Sequence, residues 1–135
     1  MKKVFLVGCI LFLCGCSSLS EENIDALNNN VEIEFLTKEP NFDKITISYF
    51  IDNTRPYSLN SYTFSYDENG DPLPLKITLE NYTSKIIDGE AFRENHSPAE
   101  LSVKLYVNGQ LILEDASKGT AETFATVKFN YTIPD

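Results

Sequence analysis

From Val31 onward, apolar and polar residues alternate nearly one for one, and this period of two points to strands with one face buried. Val31, Ile33 and Phe35 alternate with Glu32 and Glu34, and Ile45, Ile47, Tyr49 and Ile51 with Thr46, Ser48 and Phe50. Tyr62, Phe64 and Tyr66 alternate with Thr63 and Ser65, and Leu73, Leu75, Ile77 and Leu79 with Pro74, Lys76 and Thr78. Leu101, Val103, Leu105 and Val107 alternate with Ser102, Lys104 and Tyr106, and the pattern continues through residues 111–114. A last run places Ala125, Val127, Phe129, Tyr131 and Ile133 on one side. An amphipathic helix would space its apolar residues by three and four, which these runs do not do.

Turn signals fall between the runs. Asn69-Gly70 separates the run near 61–67 from that at 73–80, and Asn108-Gly109 separates 101–107 from 110–114. Both dipeptides favour the two-residue type I′ turn, whose central residues need positive φ. Two hairpins are therefore expected. Seven or eight short strands with such turns predict an all-β fold, an antiparallel immunoglobulin-like β-sandwich over residues 31–135. Strand order is not readable from these patterns.

The N-terminus has a different character. Met1, Lys2 and Lys3 precede an apolar run over residues 4–13, far short of the about 20 residues that span a bilayer. The run closes on Leu13-Cys14-Gly15-Cys16. A basic start, a short apolar stretch and a small residue before a cysteine are the parts of a secretion signal. The closing tetrapeptide resembles the lipobox of bacterial lipoprotein precursors. That resemblance implies cleavage between Gly15 and Cys16, loss of residues 1–15 and thioether lipidation of Cys16. Leu6-Val7-Gly8-Cys9 also fits the pattern, but cleavage there would leave too short an apolar run. Each buried methylene contributes about 0.8 kcal/mol, so two or three acyl chains make a lasting anchor. Residue 17 is Ser, not Asp; under enterobacteria-like sorting this implies outer-membrane delivery. Residues 16–30 read as the lipidated terminus and a polar tether, with a helical turn near 21–27 and Ser20 as its N-cap. The expected location is the cell envelope, outside the cytoplasm.

Without residues 1–15 the chain has 120 residues, one domain's worth, able to bury roughly two-thirds of its surface. Lys2 and Lys3 are the only charges removed, so nine basic residues remain against 20 acidic ones, a net charge of −11. Nucleic acid is an unsuitable partner for so acidic a domain. All three cysteines, Cys9, Cys14 and Cys16, lie at or before the cleavage point. The mature domain must then be stable without disulfides and has no thiolate metal site.

Residues 62–131 carry a second resemblance. Tyr66-Asp67-Glu68-Asn69-Gly70-Asp71-Pro72 leads into an alternating run, followed by Val103-Lys104-Leu105-Tyr106-Val107-Asn108-Gly109-Gln110 and by Glu114-Asp115-Ala116-Ser117-Lys118-Gly119. This order resembles small β-sandwich lipoproteins of Bacteroidota-like bacteria and the soluble domain of mycobacterial small membrane proteins of the MmpS type. The second family implies a role assisting membrane transporters. This chain departs from it in having no Trp after the first hairpin, and a lipobox in place of a transmembrane anchor.

Candidate chemistry is sparse. His96, the only histidine, sits in the polar stretch Arg93-Glu94-Asn95-His96-Ser97-Pro98 with no Gly-x-Ser-x-Gly elbow in the chain. Asp67, Glu68, Asn69 and Asp71 crowd one turn, but Gly70 comes too early for an EF-hand loop. Asp88-Gly89-Glu90 and Glu114-Asp115 are acidic pairs of the kind that serve glycosidases when a cleft separates them; they read here as charged turns. The aromatics concentrate near Tyr49, Phe50, Tyr62, Phe64 and Tyr66. Phe50, Tyr62, Phe64 and Tyr66 would form a protein- or glycan-binding strip if exposed, and core or cross-strand pairs if buried.

The expected function is that of a non-catalytic, lipid-tethered envelope module, held to the membrane through Cys16 and binding a protein, transporter or glycan. It requires no cofactor, catalytic residue or metal. A hydrolase using His96 or an acidic pair, and a structural surface lipoprotein with no specific ligand, are the alternatives.

Overall fold

Alternation becomes burial, strand by strand. The computed structural model describes residues 28–40, 43–49 and 58–134. Gly15 and Cys16, the expected helical turn at 21–27, Phe50 and Ile51 lie outside the described residues. Eight strands follow in order: β1 Asn29–Thr37, β2 Lys44–Tyr49, β3 Ser58–Thr63, β4 Leu75–Tyr82, β5 Ile86–Arg93, β6 Glu100–Val107, β7 Gln110–Lys118 and β8 Thr126–Thr132. They form two antiparallel four-stranded sheets, ordered β4-β1-β6-β7 and β3-β2-β5-β8. The all-β sandwich expected from the periodicity is present. Its strand order places β1 and β2 in opposite sheets, whereas immunoglobulin domains keep their first two strands together.

The core lies between the sheets. Val31, Ile33 and Phe35 of β1, Ile45 and Ile47 of β2, Leu101, Val103 and Leu105 of β6, and Val127 of β8 are all fully buried. The Phe35 and Phe129 rings meet edge to face across the two sheets, 6.0 Å between centroids. β1 begins two residues earlier than the alternation predicts: of the residues read as the end of the tether, Asn29 pairs with Tyr82 and Asn30 sits at a register shift in that ladder.

The two Asn-Gly dipeptides have different fates. Asn108 and Gly109 take φ of 51° and 78°, and Val107 pairs with Gln110, so β6 and β7 form the expected type I′ hairpin. Around Asn69-Gly70 only Gly70 has positive φ. There the Gly70 N–H donates to the Asp67 carbonyl at 3.1 Å, and a lone Tyr66–Pro72 bridge follows. β3 and β4 belong to different sheets, so this turn carries the chain from one sheet to the other instead of closing a strand hairpin. The Asp67 carboxylate organises the turn, its Oδ1 accepting from the N–H groups of Asn69 (2.8 Å) and Asp71 (2.9 Å). Such side-chain to backbone bonds explain the clustered polar residues without an ion.

β5 corrects two sequence expectations. Asp88-Gly89-Glu90, read as a charged turn, lies inside a strand flanked by β2 and β8. Asp88 and Glu90 sit on its outer face, while Ile87, Gly89, Ala91 and Arg93 are buried. Gly89 is required by close approach: a Cβ there would meet the Phe129 ring and would lie 2.6 Å from the Ser48 carbonyl oxygen. Glu114-Asp115, also read as a turn, is part of β7.

Two predictions follow from this packing. Gly89→Ala should destabilise the fold by about 1–3 kcal/mol through overpacking; an unchanged denaturant midpoint would mean that Phe129 yields freely. The backbone N–H groups of Asp71 and Asn69 hold the Asp67 carboxyl below its ordinary value of 3.8. A lowered folded-state value stabilises fully above pH 3.8 and is lost as pH falls through the folded value. The stability gap between wild type and Asp67→Asn should therefore be full above pH 3.8 and close as the pH falls below it. A gap that ignores pH would contradict the turn assignment.

Candidate functional site

The aromatic strip expected near β3 is largely internal. Of the orientations that alternation allowed, the core-facing one is adopted: Phe64 is buried, and Tyr62 and Tyr66 are half-buried against the core. Phe64 thus does not belong to a binding surface. The reason is alternation: the Phe64 N–H donates to the Asp43 carbonyl at 3.0 Å, one rung past the Thr63–Lys44 pair, so Phe64 falls on the same inner side as Tyr62. Phe50, the fourth member, is outside the described residues.

Beneath Tyr66 lies a polar cluster that sequence reading did not single out. Arg93, at the end of β5, is fully buried, as is Asp43 just before β2. Arg93 Nε donates to Asp43 Oδ2 at 2.5 Å, Nη1 to the Ala99 carbonyl at 2.8 Å, and Nη2 to Glu39 Oε2 and Ser97 Oγ, both at 2.9 Å. Ser97 Oγ donates in turn to Glu39 Oε2 at 2.5 Å, and Thr37 Oγ1 to Asp43 Oδ2 at 2.6 Å. The Tyr66 hydroxyl accepts from the Asp43 N–H at 3.0 Å, and burial pushes its phenol above the usual value of 10. Four segments, at Thr37–Glu39, Asp43, Tyr66 and Arg93–Ala99, are thereby tied at one end of the sandwich. Asp43 Oδ1 is buried without a hydrogen-bond partner among the described residues. Carboxylate, hydroxyl and backbone oxygens thus take four of the five guanidinium N–H donors, an arrangement that holds loops in place.

At the same end, on the outer face of the β3-β2-β5-β8 sheet, three rings form a column. Phe92 of β5 stacks on Phe124 (5.6 Å, 27°), and the His96 ring lies tilted against Phe124 (4.3 Å, 31°). Phe124 is 41% exposed, Phe92 is half-buried and His96 is exposed. Beside the column, Glu94 Oε1 accepts from Thr46 Oγ1 at 2.7 Å and Ser61 Oγ at 3.0 Å, and these hydroxyls hold its carboxyl below the usual range. His96 was legible as a loop residue. Its partner Phe124 was not, because the two are 28 positions apart and no period links them.

The acidic pairs are occupied in cross-strand bonds. Asp88 Oδ1 accepts from Asn130 Nδ2 at 2.9 Å, and Asp115 Oδ2 accepts from the Lys128 N–H at 2.9 Å. Across the other sheet, register brings Lys76, Glu34, Lys104 and Glu114 into one row of alternating sign over β4, β1, β6 and β7. Lys76 lies 3.1 Å from Glu34 and 2.9 Å from Glu32, whose carboxylates raise its pKa. Next to this row an open groove of about 440 Å³ runs between Glu32, Lys76, Thr78, Glu80 and Tyr106. Among the described residues no group of three His, Cys, Asp or Glu side chains is placed to hold a metal ion.

Removing Asp43 should leave the buried Arg93 Nε without an acceptor and Glu39 as its one remaining carboxylate. Asp43→Ala is expected to cost about 3–5 kcal/mol in urea unfolding, and the double variant Arg93→Met, Asp43→Leu distinctly less than the sum of the single changes. A cost under about 1 kcal/mol for Asp43→Ala would show that the cluster does not hold this end together.

No family model, curated protein or solved structure matches this chain.

Proposed function

We propose that this chain is a lipid-anchored envelope lipoprotein whose sandwich is a non-catalytic binding module. Anchoring rests on Leu13-Cys14-Gly15-Cys16, thirteen positions before β1 opens at Asn29. Binding rests on the His96–Phe124–Phe92 column. Three rings stacked at the surface offer a partner apolar area that needs little further ordering, the quality that makes aromatic residues anchors of interfaces. The position of the column supports the same reading. β1 starts beside the Asn108-Gly109 turn, where the Asn108 N–H donates to the Asn30 carbonyl at 2.8 Å. It ends at Thr37 beside Asp43 and the Arg93 cluster. At about 3.3 Å per residue these ends are roughly 26 Å apart. A lipid on Cys16 would hold the Asn108 end toward the membrane and turn the aromatic column outward, toward another envelope component.

The contacts of the candidate catalytic groups support a binding module over a hydrolase. The His96 ring rests on Phe124, and Asp88 and Asp115 bond across strands. Cys16→Ser is expected to abolish incorporation of labelled palmitate and to move the protein from the membrane fraction to the soluble one. Retention at the membrane without label would sink the anchoring claim. In pull-downs of the intact lipidated protein from solubilised envelope, Phe124→Ala should reduce recovery of a stoichiometric partner by at least about tenfold, a loss of 1.4 kcal/mol or more. Equal recovery by the variant would sink the assignment of the aromatic column.

A further inference from the structure

Asn69-Gly70 and Asn108-Gly109 are the two Asn-Gly dipeptides of the chain. An asparagine before glycine is exposed to attack on its own side chain, because glycine has no Cβ to shield its nitrogen or to restrict the backbone. The glycine nitrogen can add to the carboxamide carbon, Cγ. That step needs the side chain to turn and the backbone to bend, so in a folded protein it goes where local opening costs least.

The two dipeptides are held very differently. At Asn108 both ends of the carboxamide are engaged: Oδ1 accepts from the Asn30 N–H at 2.9 Å, and Nδ2 donates to Asn29 Oδ1 at 2.8 Å. The Asn108 N–H donates to the Asn30 carbonyl at 2.8 Å as well. The turn is clasped between paired strands, Val107 lying opposite both Gln110 of β7 and Val31 of β1. Moving Cγ of Asn108 onto the Gly109 nitrogen would break both side-chain bonds and loosen the start of β1.

At Asn69 the restraint is local and at the surface. Residues 67–71 are all exposed. The Asn69 carboxamide bonds, among the described residues, to the exposed Asp67 carboxylate. The Asn69 N–H also donates to Asp67 Oδ1 at 2.8 Å, and the Gly70 N–H to the Asp67 carbonyl at 3.1 Å. No strand ladder flanks this turn: the lone Tyr66–Pro72 bridge stands beside it, because β3 and β4 lie in different sheets. Both glycines stand in open space, so crowding does not separate the two sites.

We propose that Asn69 is a self-modification site, converting in the folded protein to aspartyl and isoaspartyl forms while Asn108 is protected. The Gly70 N–H gives its proton to solvent base, and its nitrogen bonds to Asn69 Cγ. The Cγ–Nδ2 bond breaks, and the amide nitrogen leaves as ammonia with a proton from solvent. Water then opens the succinimide ring. Opening at Cγ leaves aspartate in a normal chain; opening at the main-chain carbonyl carries the chain through Cγ as isoaspartate. Either product adds a negative charge beside Asp67, Glu68 and Asp71, and the isoaspartyl link lengthens the backbone that Asp67 organises. The turn that carries the chain between the sheets is thus where this protein ages first. The inference is independent of the lipid and of the aromatic column.

Peptide mapping by mass spectrometry tests it on the full-length chain in nonionic detergent. The protein is incubated in mildly alkaline buffer, below its unfolding temperature and with circular dichroism confirming the fold, beside a sample unfolded in urea. In the unfolded chain the two Asn-Gly links should convert at similar rates. In the folded chain Asn69 should convert at least about fivefold faster than Asn108. A smaller ratio, or an Asn69 that stays intact while the unfolded sample reacts, would overturn the proposal.

Discussion

The two sheets are held apart and together by the same side chains. No disulfide is available to the domain, because Cys9, Cys14 and Cys16 all precede it. The inward positions must therefore fill a layer about 10 Å thick unaided. Phe35 against Phe129 sets the contact between sheets at the centre. Where a large side chain fills the inner face of one strand, its pair on the next strand is small: the Phe129 ring of β8 occupies the space that a Cβ on residue 89 of β5 would need. Gly89 inside β5 is thus a packing choice, although the same residue between two carboxylates imitates a turn.

The ends of the sandwich cannot be filled in the same way, because chain crossings bring backbone polar groups into the interior. At one end the protein places a fully buried Arg93 and satisfies it with two carboxylates, a hydroxyl and a carbonyl. Buried ion pairs add little net stability compared with well-packed apolar side chains. They do restrict which loop arrangements are tolerable, since each alternative strands a charge. Here that restriction falls on the segments beneath the His96–Phe124 column. The surface proposed for binding thus lies on a segment that Arg93 ties down at Ser97 and Ala99.

Legibility differed from strand to strand for identifiable reasons. β1, β2, β6 and β8 read plainly, since each alternates large apolar residues with polar ones over most of its length. The Asn108-Gly109 hairpin was readable because its strands are neighbours and the turn is purely local. Asn69-Gly70 misled because the same local chemistry serves a crossing between sheets as well as a hairpin. β5 was missed because its inward positions are Ile87, Gly89, Ala91 and Arg93, only one of them a large apolar residue. The tyrosines near β3 were visible as an aromatic concentration. Alternation set Tyr62 and Phe64 on one side, and pairing with β2 decided that this side faced the core.

The sequence by itself determined the period of two, the all-β class, the Asn108-Gly109 turn, and the basic, apolar, cysteine-closed N-terminus with its implied address. These are properties of neighbouring residues, governed by local sterics and by which face of a strand is apolar. Tertiary structure alone decided the strand order, the pairing of Arg93 with Asp43 fifty positions away, and the placing of Phe124 between Phe92 and His96. Each of these depends on contacts between segments far apart in the chain. The free energy that selects them comes from filling one shared interior, and no short window of residues contains it.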